Sequence, residues 1–320
     1  MRHGDSACAL CGANLNVAAV RRRRRQNVAR VLAKGSPPSQ DVADAALFAW
    51  LHARGATTSG VRVTQSATLG RELIATRTAC SGDVLATLPL ACQLLSHQPD
   101  GSRLPEQLRS LLSCYSLRDW DVRLALRLLH ERSLGDASGI APYLATLPAA
   151  SFYDFPTFWS DAAVDELRRC APEVVRKLSQ RKEWFHSFLL RHGPLRFNDL
   201  CLDAAALRWA FAAVTSRAFA PAASLSDAAS PARLCPLLEF CNHSFDEANV
   251  EVFSGDGDAA VLRATRSIQA NEPLLLCYGA LSNDMLLLDY NFTVWPNAYD
   301  TLDAGNGATA MPQLPGSLKA

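Results

Sequence analysis

The sequence predicts an α+β fold, in which small β-sheets at the two ends of the chain flank a helical middle. Strand-like runs bounded by turn residues occur before residue 100 and again after residue 230. Residues 103–215 instead carry apolar side chains at helical spacing. Strands and helices therefore do not alternate along the chain, which argues against a βαβ architecture with a parallel sheet.

The folded part is predicted to begin near Asp41 with a short helix that ends near Gly55. Helical spacing predicts that this helix packs through one apolar face. The residues of that face are Val42, Ala45, Ala46, Ala49 and Trp50. Two strand-like runs follow, "GVRVTQSATLGRELIATRTA" and "GDVLATLPLACQLLS".

The middle of the chain is predicted to be mostly helical. In "DVRLALRLLHER" the spacing places Val122, Ala125, Leu126 and Leu129 on one face. Asp203 precedes the Ala-rich run "AAALRWAFAAVTSRAF", where it is a suitable N-cap. Acidic N-cap residues accept hydrogen bonds from the first free backbone N–H groups of a helix, so a helix should begin after Asp203.

Short strands are predicted to return after residue 230. "NVEVFS" and "AAVLRATRSI" flank "GDGD", which is a hairpin turn signal. "EPLLLCYG" indicates a buried strand, and "SNDMLLLDYNF" indicates a helical turn with Ser282 as its cap.

The charge is unevenly distributed, although the net charge is only +1. Residues 1–40 hold eight Lys/Arg and one acid, whereas the remainder holds 24 basic and 30 acidic residues. The body is therefore not expected to bind nucleic acid, which requires a basic face. The leader, with Arg21 to Arg25, fits an organelle transit peptide such as a plastid one, a nuclear address, a nucleic-acid patch or an extension without a role.

The ten cysteines are scattered singly, which favours a reducing, intracellular location in an organelle, the cytoplasm or the nucleus. Cys8 and Cys11 form a CxxC pair, but no second pair of zinc ligands follows nearby. No apolar run approaches the roughly 20 residues that span a bilayer, so no membrane association is predicted. Residues 301–320 contain Gly and Pro and are expected to form a flexible tail.

The stretch "LLEFCNHSF", residues 237–245, concentrates several reactive side chains. One interpretation is a metal site, because Cys and His are zinc ligands, although the spacing lacks the short-loop pairs of structural zinc sites. Its ligands would be Cys235, Cys241, His243 and Cys277. A glycosylation sequon at Asn242 is disfavoured, since free cysteines argue against the secretory route.

Six stretches occur in an order that resembles the SET-domain methyltransferases, roughly over residues 45–297. They are "GRELIATRTACSGDVLATLPL", "SGIAPYLATLP", "VTSRAF", "CPLLEFCNHS", "LLLCYG" and "SNDMLLLDYNF". The branch most similar is that of the Rubisco large-subunit lysine methyltransferase. The resemblance implies a SET domain over residues 41–300, with a helical insertion at about 103–230. It also implies a C-terminal segment threaded beneath a loop, which would bring residues 242–243 and 278 together.

The resemblance further implies the cofactor S-adenosyl-L-methionine and a lysine-bearing protein as substrate. Methyl transfer to an amine requires that donor and acceptor be held in line at short distance. The lysine must also lose its proton, and a dry aromatic channel favours this by lowering the lysine pKa.

The family pattern assigns roles to seven residues. Tyr278 matches the active-site tyrosine, with an orienting and electrostatic role. Tyr290 matches the second channel tyrosine and is grouped with the cofactor-binding residues. The other cofactor-binding residues are Gly70, Arg71, Arg217, Asn242 and His243.

The sequence departs from the family pattern at several positions. Glu72 in "GREL" replaces the second glycine, Asn291 in "DYNF" replaces a glycine, and Glu239 replaces an aspartate. The resemblance further implies a helical substrate-docking domain after the SET domain, which we expect to be absent here because residues 301–320 show only a Gly- and Pro-bearing tail. These departures motivate an alternative, a catalytically degenerate SET module that binds a protein or the cofactor.

Overall fold

The structure is a computed structural model of the 320-residue chain. It describes residues 40–66, 70–97, 104–168, 171–193, 195–198, 200–220 and 230–300. The predictions for the basic leader, apart from Gln40, and for the tail 301–320 fall outside these residues. Within them, no helix is both long enough and apolar enough to cross a membrane.

Eleven short strands form in the described ranges, in five small sheets. In chain order they are β1 (Val61–Ser66), β2 (Gly70–Ala75), β3 (Val84–Leu88), β4 (Leu94–Leu95), β5 (Leu195–Phe197), β6 (Leu200–Leu202), β7 (Arg233–Leu234), β8 (Asn242–His243), β9 (Val250–Ser254), β10 (Ala260–Ala264) and β11 (Leu275–Leu276). One sheet has the order β3-β10-β9, and the others are the pairs β1-β2, β4-β7, β5-β6 and β8-β11. Among the strand pairs in these ranges, only β8-β11 is parallel.

The helices lie mainly between the two groups of strands. They are α1 (Gln40–Ala53), α2 (Glu106–Ser113), α3 (Trp120–Ser133), α4 (Ala141–Leu144), α5 (Asp161–Arg168), α6 (Pro172–His192), α7 (Ala204–Thr215) and α8 (Asn283–Met285). A π-helical turn, Leu286–Tyr290, continues α8. This arrangement confirms the α+β fold class and the helical middle, which also contains the β5-β6 hairpin.

Helix α1 occupies the predicted position, but of the five residues of its predicted face only Trp50 is buried. Val42 is 57% exposed, and Ala45, Ala46 and Ala49 are exposed as well. The buried face consists of Ala43, Leu47, Trp50 and Leu51. Two leucines and a tryptophan bury far more apolar area than alanines do, so the larger side chains determine which face meets the core.

Helices α3 and α7 pack against each other at the centre of the molecule. The predicted α3 face is buried, and so are Leu124 and Leu128 on its other sides, because the helix is covered by neighbours all round. At the start of α7, a carboxylate oxygen of Asp203 accepts a 2.7 Å hydrogen bond from the backbone N–H of Ala206. Asp203 is therefore the N-cap that the sequence predicts.

The C-terminal strands follow the prediction only in part. β9 and β10 form the expected hairpin, with Gly257 at a left-handed φ of 62° in its turn. The expected strand "EPLLLCYG" contributes only the two residues of β11. Ser282 occupies the N-cap position of α8 without a side-chain cap bond. The N–H of Asn283 instead donates to the carboxylate of Asp300 over 2.6 Å.

Candidate active site

The parallel pair β8-β11 joins the two most distinctive sequence motifs. Leu275 lies opposite Asn242 and Leu276 lies opposite His243. The N–H of Ser244 donates to the Leu276 carbonyl over 3.0 Å. The register leaves Tyr278 just beyond the pair, next to His243, so residues 242–243 and 278 meet as the resemblance implied.

The segment 271–278 lies between β2 and β8. On the β2 side, the N–H of Ala75 donates to the Glu272 carbonyl over 3.0 Å, and that of Leu274 donates to the Leu73 carbonyl over 2.8 Å. On the other side β11 pairs with β8. The segment thus has hydrogen-bonded neighbours on both sides, as a strand inserted between two others does.

Asn249 holds this inserted segment in place. Its side chain is fully buried, and its Oδ1 accepts a 2.8 Å hydrogen bond from the Leu275 N–H. Its Nδ2 donates to the Pro273 carbonyl over 2.9 Å and to the Glu272 carboxylate over 3.2 Å. Sequence reasoning missed Asn249, because nothing in "EANVEV" distinguishes it from a turn asparagine before a strand.

Tyr278 is fixed at two points. Its backbone N–H donates to Nδ1 of His243 over 3.1 Å, and its hydroxyl donates to the Cys241 carbonyl over 2.8 Å. Burial raises the pKa of Tyr278 well above its ordinary value, and the neighbouring Cys241 and Tyr290 add to this effect. The hydroxyl therefore stays protonated and its position is set by the backbone.

Aromatic rings surround Tyr278. The Tyr290 ring lies 4.9 Å from the Tyr278 ring, at 31° between the planes, and the His243 ring lies 5.0 Å away. Phe245 meets His243 edge-on at 4.3 Å, and Phe292 lies 6.1 Å from Tyr290. Tyr278 and Tyr290, the two tyrosines that the family pattern singles out, thus lie in one aromatic cluster. Phe245 and Phe292 also belong to this cluster, and sequence reasoning missed both.

Tyr290 ends the π-helical turn, and the next residue reverses the chain. Asn291 adopts a left-handed conformation, with φ of 64°, which asparagine tolerates better than most residues. The replacement of the family glycine by Asn291 is therefore compatible with the fold. Burial raises the pKa of Tyr290 to about 12, with a further contribution from the adjacent Asp289 carboxylate.

His243 is half-buried. Burial lowers its pKa, and the Leu276 carbonyl opposes that shift. Its Nδ1 accepts from Tyr278, while its buried Nε2 has no hydrogen-bond partner among the described residues. It is one of six such side-chain atoms among the described residues, and a bound molecule that reaches it can hydrogen-bond to it.

Arg217 belongs to a buried charged group. Its Nε lies 3.4 Å from Oε1 of Glu239, whose side chain is 0% exposed. The other carboxylate oxygen of Glu239 accepts a 2.7 Å hydrogen bond from the hydroxyl of Tyr143, a residue of the helical middle. Burial raises the pKa of Glu239 to about 7, although Arg217 and the Tyr143 hydrogen bond both lower it. Sequence reasoning missed Tyr143 and did not anticipate this pairing.

The start of β2 contributes Gly70 and Arg71 to the site. Gly70 has a left-handed φ of 78°, with open space where a side chain would begin. Nδ2 of Asn242 lies 3.4 Å from the Arg71 carbonyl, so the backbone at 70–71 borders the site as expected. Glu72 sits in the regular antiparallel pairing opposite Thr64 and does not have a positive φ.

The Arg71 side chain turns away from Asn242 and into the interior. It forms an ion pair with Asp44 of α1 and donates to the Thr146 carbonyl over 2.9 Å. Its guanidinium also lies 4.2 Å from the centre of the Phe240 ring. These contacts give the side chain a structural role, which leaves only the Arg71 backbone for the predicted cofactor contact.

The metal interpretation has no geometric support. In the parts of the chain that the structure describes, no group of three or more His, Cys, Asp or Glu could hold a metal ion. Cys235 and Cys241 are buried, and burial raises the pKa of both thiols well above their ordinary value. Zinc binds cysteine as thiolate, so such thiols are poor ligands.

Comparisons with known proteins agree with this geometry. The SET-domain family matches residues 70–279. Human SET domain-containing protein 4 is 26% identical over 259 residues, which cover 76% of this chain and 56% of that protein. The solved SET domain of LSMT bound to lysine and AdoHcy superposes with a TM-score of 0.65, at 22% identity, over 80% of this chain and 58% of that one. Rubisco LSMT bound to AdoMet gives a TM-score of 0.63, at 23% identity, over 79% and 57%.

The chain spans less than three fifths of the length of these relatives. At 22–23% identity the solved structures establish the fold alone. The family match covers more than half of the chain and contains Gly70, Arg217, the 242–243 pair and Tyr278, the segments that the fold brings together. This chain belongs to the SET-domain family.

Proposed function

We propose that this protein is an S-adenosyl-L-methionine-dependent protein-lysine N-methyltransferase. The observation that carries the proposal is the fixation of Tyr278, whose hydroxyl and backbone N–H are both held by the 241–243 segment. The hydroxyl lies within an aromatic cluster, and the same segment contacts the backbone beside Gly70 through Asn242. Residues 70–71, 241–243 and 278, which lie in three separate parts of the chain that match the family, thus lie together in one site.

The residues present fit the cofactor at several points. Gly70 offers backbone without a side chain, which permits close approach of a ligand. The buried Nε2 of His243 lacks a partner among the described residues, and the Asn242 amide can both donate and accept hydrogen bonds. Arg217 is the cation suited to a carboxylate, although Glu239 shares it here.

When bound, S-adenosyl-L-methionine supplies a methyl group already activated by the sulfonium. The protein then has to orient the amine, exclude water and favour the unprotonated lysine. The rings of Tyr278, Tyr290 and Phe292 provide an apolar wall, and desolvation lowers the pKa of an enclosed lysine. The raised pKa of Tyr278 excludes phenolate at neutral pH, so its hydroxyl orients rather than acts as a base.

The solved relatives support the substrate class. One LSMT structure is bound to lysine and AdoHcy, another is bound to AdoMet, and both share this fold. We extend lysine as acceptor to this chain because its aromatic cluster occupies the corresponding segment of the family pattern.

A methyl-transfer assay on a peptide array tests the proposal. Each peptide contains one lysine, and a matched peptide contains arginine at the same position. With methyl-labelled cofactor, label should enter lysine peptides but not their arginine partners, and Tyr278→Phe should abolish most of it. Incorporation that is equal in both peptide sets, or unaffected by Tyr278→Phe, would contradict the proposed chemistry.

A second candidate function is a SET module that binds the cofactor or a protein without turnover. The specific observation in its favour is the Arg217–Glu239 ion pair, which competes for the guanidinium that a cofactor carboxylate would use. This candidate predicts that Glu239→Gln binds the cofactor more tightly than the wild type. Methyl transfer by the wild-type protein to any lysine peptide would eliminate it.

A further inference from the structure

The turn that carries Tyr290 is built partly by the helical middle. Leu287 and Leu288 are buried in a second small core, separate from the main one. The other members of this core come from the helical middle and are Trp159, Val164, Leu167, Val174, Val175 and Leu178. One side of the π-helical turn therefore packs on α5 and α6, while its last residue, Tyr290, faces Tyr278.

A single arginine of α6 reaches both acceptors next to Tyr290. Nη1 of Arg181 donates to the Leu288 carbonyl over 3.0 Å, and its Nη2 donates to the Asp289 carboxylate over 2.6 Å. The two side chains are 34% and 19% exposed, so the pair is shielded from solvent in part. Arginine's planar fork holds two acceptors in fixed geometry, which a point charge cannot do.

Asp289 and Asp121 both lie close to the Arg181 guanidinium. Asp289 lies directly before Tyr290 and raises the pKa of its phenol, behind the larger effect of burial. Arg181 also lies near the half-buried Asp121 of α3, whose pKa is raised by desolvation and partly lowered again by Arg181. Loss of Arg181 would leave the Asp289 carboxylate without this ion pair and the Leu288 carbonyl without this donor, at the end of a turn where carbonyls lack helical partners.

We propose that Arg181 is a positioning residue, which sets the Tyr290 ring against Tyr278 and so shapes the channel for the acceptor lysine. The shaping of a lysine channel rests on the proposed function. The claim that Arg181 controls the ring position does not rest on the proposed function, because it follows from the contacts of Arg181 with residues 288 and 289. The helical middle thereby contributes to the site without touching a bound molecule.

Lys177 provides a matched control. It lies one helical turn before Arg181 and pairs with Asp284, near the start of the same C-terminal turn. That pair is longer, at 3.5 Å, and both side chains are more than a third exposed, so it should contribute little. Lys177→Ala removes a cation from the same helix and the same neighbourhood without disturbing Leu288 or Asp289.

The first measurement follows the rings directly. In protein with labelled tyrosine, magnetization transfer between the Tyr278 and Tyr290 rings reports their 4.9 Å approach, with Tyr290→Phe assigning the signal. The cross-peak should weaken strongly in Arg181→Ala, partly in Arg181→Lys and not in Lys177→Ala. An unchanged cross-peak in a folded Arg181→Ala protein would overturn the proposal, and if that variant does not fold, an unchanged cross-peak in Arg181→Lys would do so.

The second measurement is methyl transfer by the same variants. Arg181→Ala should lower kcat about tenfold or more, because small misplacements at a reacting centre are costly, while the Kd for S-adenosyl-L-homocysteine changes less than about twofold. Arg181→Lys should recover part of kcat. If the ring contact depends on Arg181 but the wild-type protein shows no turnover, the positioning claim is supported and the proposed function is refuted. Equal kcat in Arg181→Ala and Lys177→Ala would refute the role in the channel.

Discussion

The hydroxyl of Tyr278 donates a 2.8 Å hydrogen bond to the carbonyl of Cys241, which lies 37 residues earlier in the chain. Because the backbone N–H of Tyr278 also bonds the His243 ring, the residue is held from both ends by one short segment. The segment itself is fixed by parallel pairing with the strand that leads into Tyr278. The position of the phenol is thus set by contacts within the fold.

Replacement of Tyr278 by phenylalanine should separate catalysis from binding. The variant keeps the ring contacts with His243 and Tyr290 but loses the oriented hydroxyl. We expect turnover to fall about a hundredfold, as for other losses of precise orientation, with little change in cofactor affinity. Steady-state methyl transfer and calorimetry measure the two quantities. Wild-type turnover in Tyr278→Phe would show that the hydroxyl has no role.

Substitution at either Gly70 or Glu72 of the "GREL" motif should destabilise the protein, although the family pattern has a glycine at position 72. Gly70 has a φ of 78°, so Gly70→Ala should cost about 1–2 kcal/mol in free energy of unfolding despite the open space beside it. Glu72 lies in a regular strand, so Glu72→Gly should destabilise by about 0.5–1 kcal/mol rather than relieve strain. Chemical denaturation measures both. A Glu72→Gly protein that is more stable than the wild type would contradict this assignment.

Glu239 should make the stability of the protein depend on pH. Its folded-state pKa of about 7 exceeds the ordinary 4.5, so the folded protein binds this proton more tightly than the unfolded chain does. Its contribution is therefore fully present below pH 4.5 and is lost as the pH rises through about 7. Arg217, the Tyr143 hydrogen bond and Arg71 each lower this pKa, but burial outweighs them.

Glu239→Gln removes this titration and tests its sign. The free energy of unfolding of the wild type minus that of the variant should decrease between pH 4.5 and 7. The decrease should be at most a few kcal/mol, since one pKa unit corresponds to about 1.4 kcal/mol. Denaturation curves across this range measure it. A difference that stays constant or increases with pH would refute the raised pKa.

Among the Asn and Gln side chains of the described core, removal of the Asn249 side chain should lower the free energy of unfolding the most. Asn249→Ala leaves the Leu275 N–H and the Pro273 carbonyl without their side-chain partner inside the protein. We expect a loss of about 2–4 kcal/mol in free energy of unfolding. Gln65→Ala, at an exposed position of β1, is the control and should change stability by less than about 0.5 kcal/mol. Similar values for the two variants would show that the inserted segment does not depend on Asn249.

Local patterns in the sequence predicted most elements, because helical spacing, N-caps and turn residues act over a few positions. Asp203 and the "GDGD" hairpin are examples. The α1 face was wrong because spacing alone could not weigh alanines against Leu47 and Leu51. The family pattern predicted the meeting of 242–243 with 278. It did not reveal Asn249, Tyr143 or Arg181, whose roles arise from contacts between residues 23–107 positions apart.

The most direct test of the central claim is a calorimetric titration of the purified protein with S-adenosyl-L-homocysteine, beside Asn242→Ala and the control Gln65→Ala. If the segment 241–243, Tyr278 and the backbone at Gly70 form a cofactor site, the wild type and Gln65→Ala should bind one equivalent with the same affinity. Asn242→Ala should bind at least about tenfold more weakly, because the site loses a hydrogen-bonding amide. No measurable binding by the folded wild-type protein, or unaltered binding by Asn242→Ala, would contradict the claim.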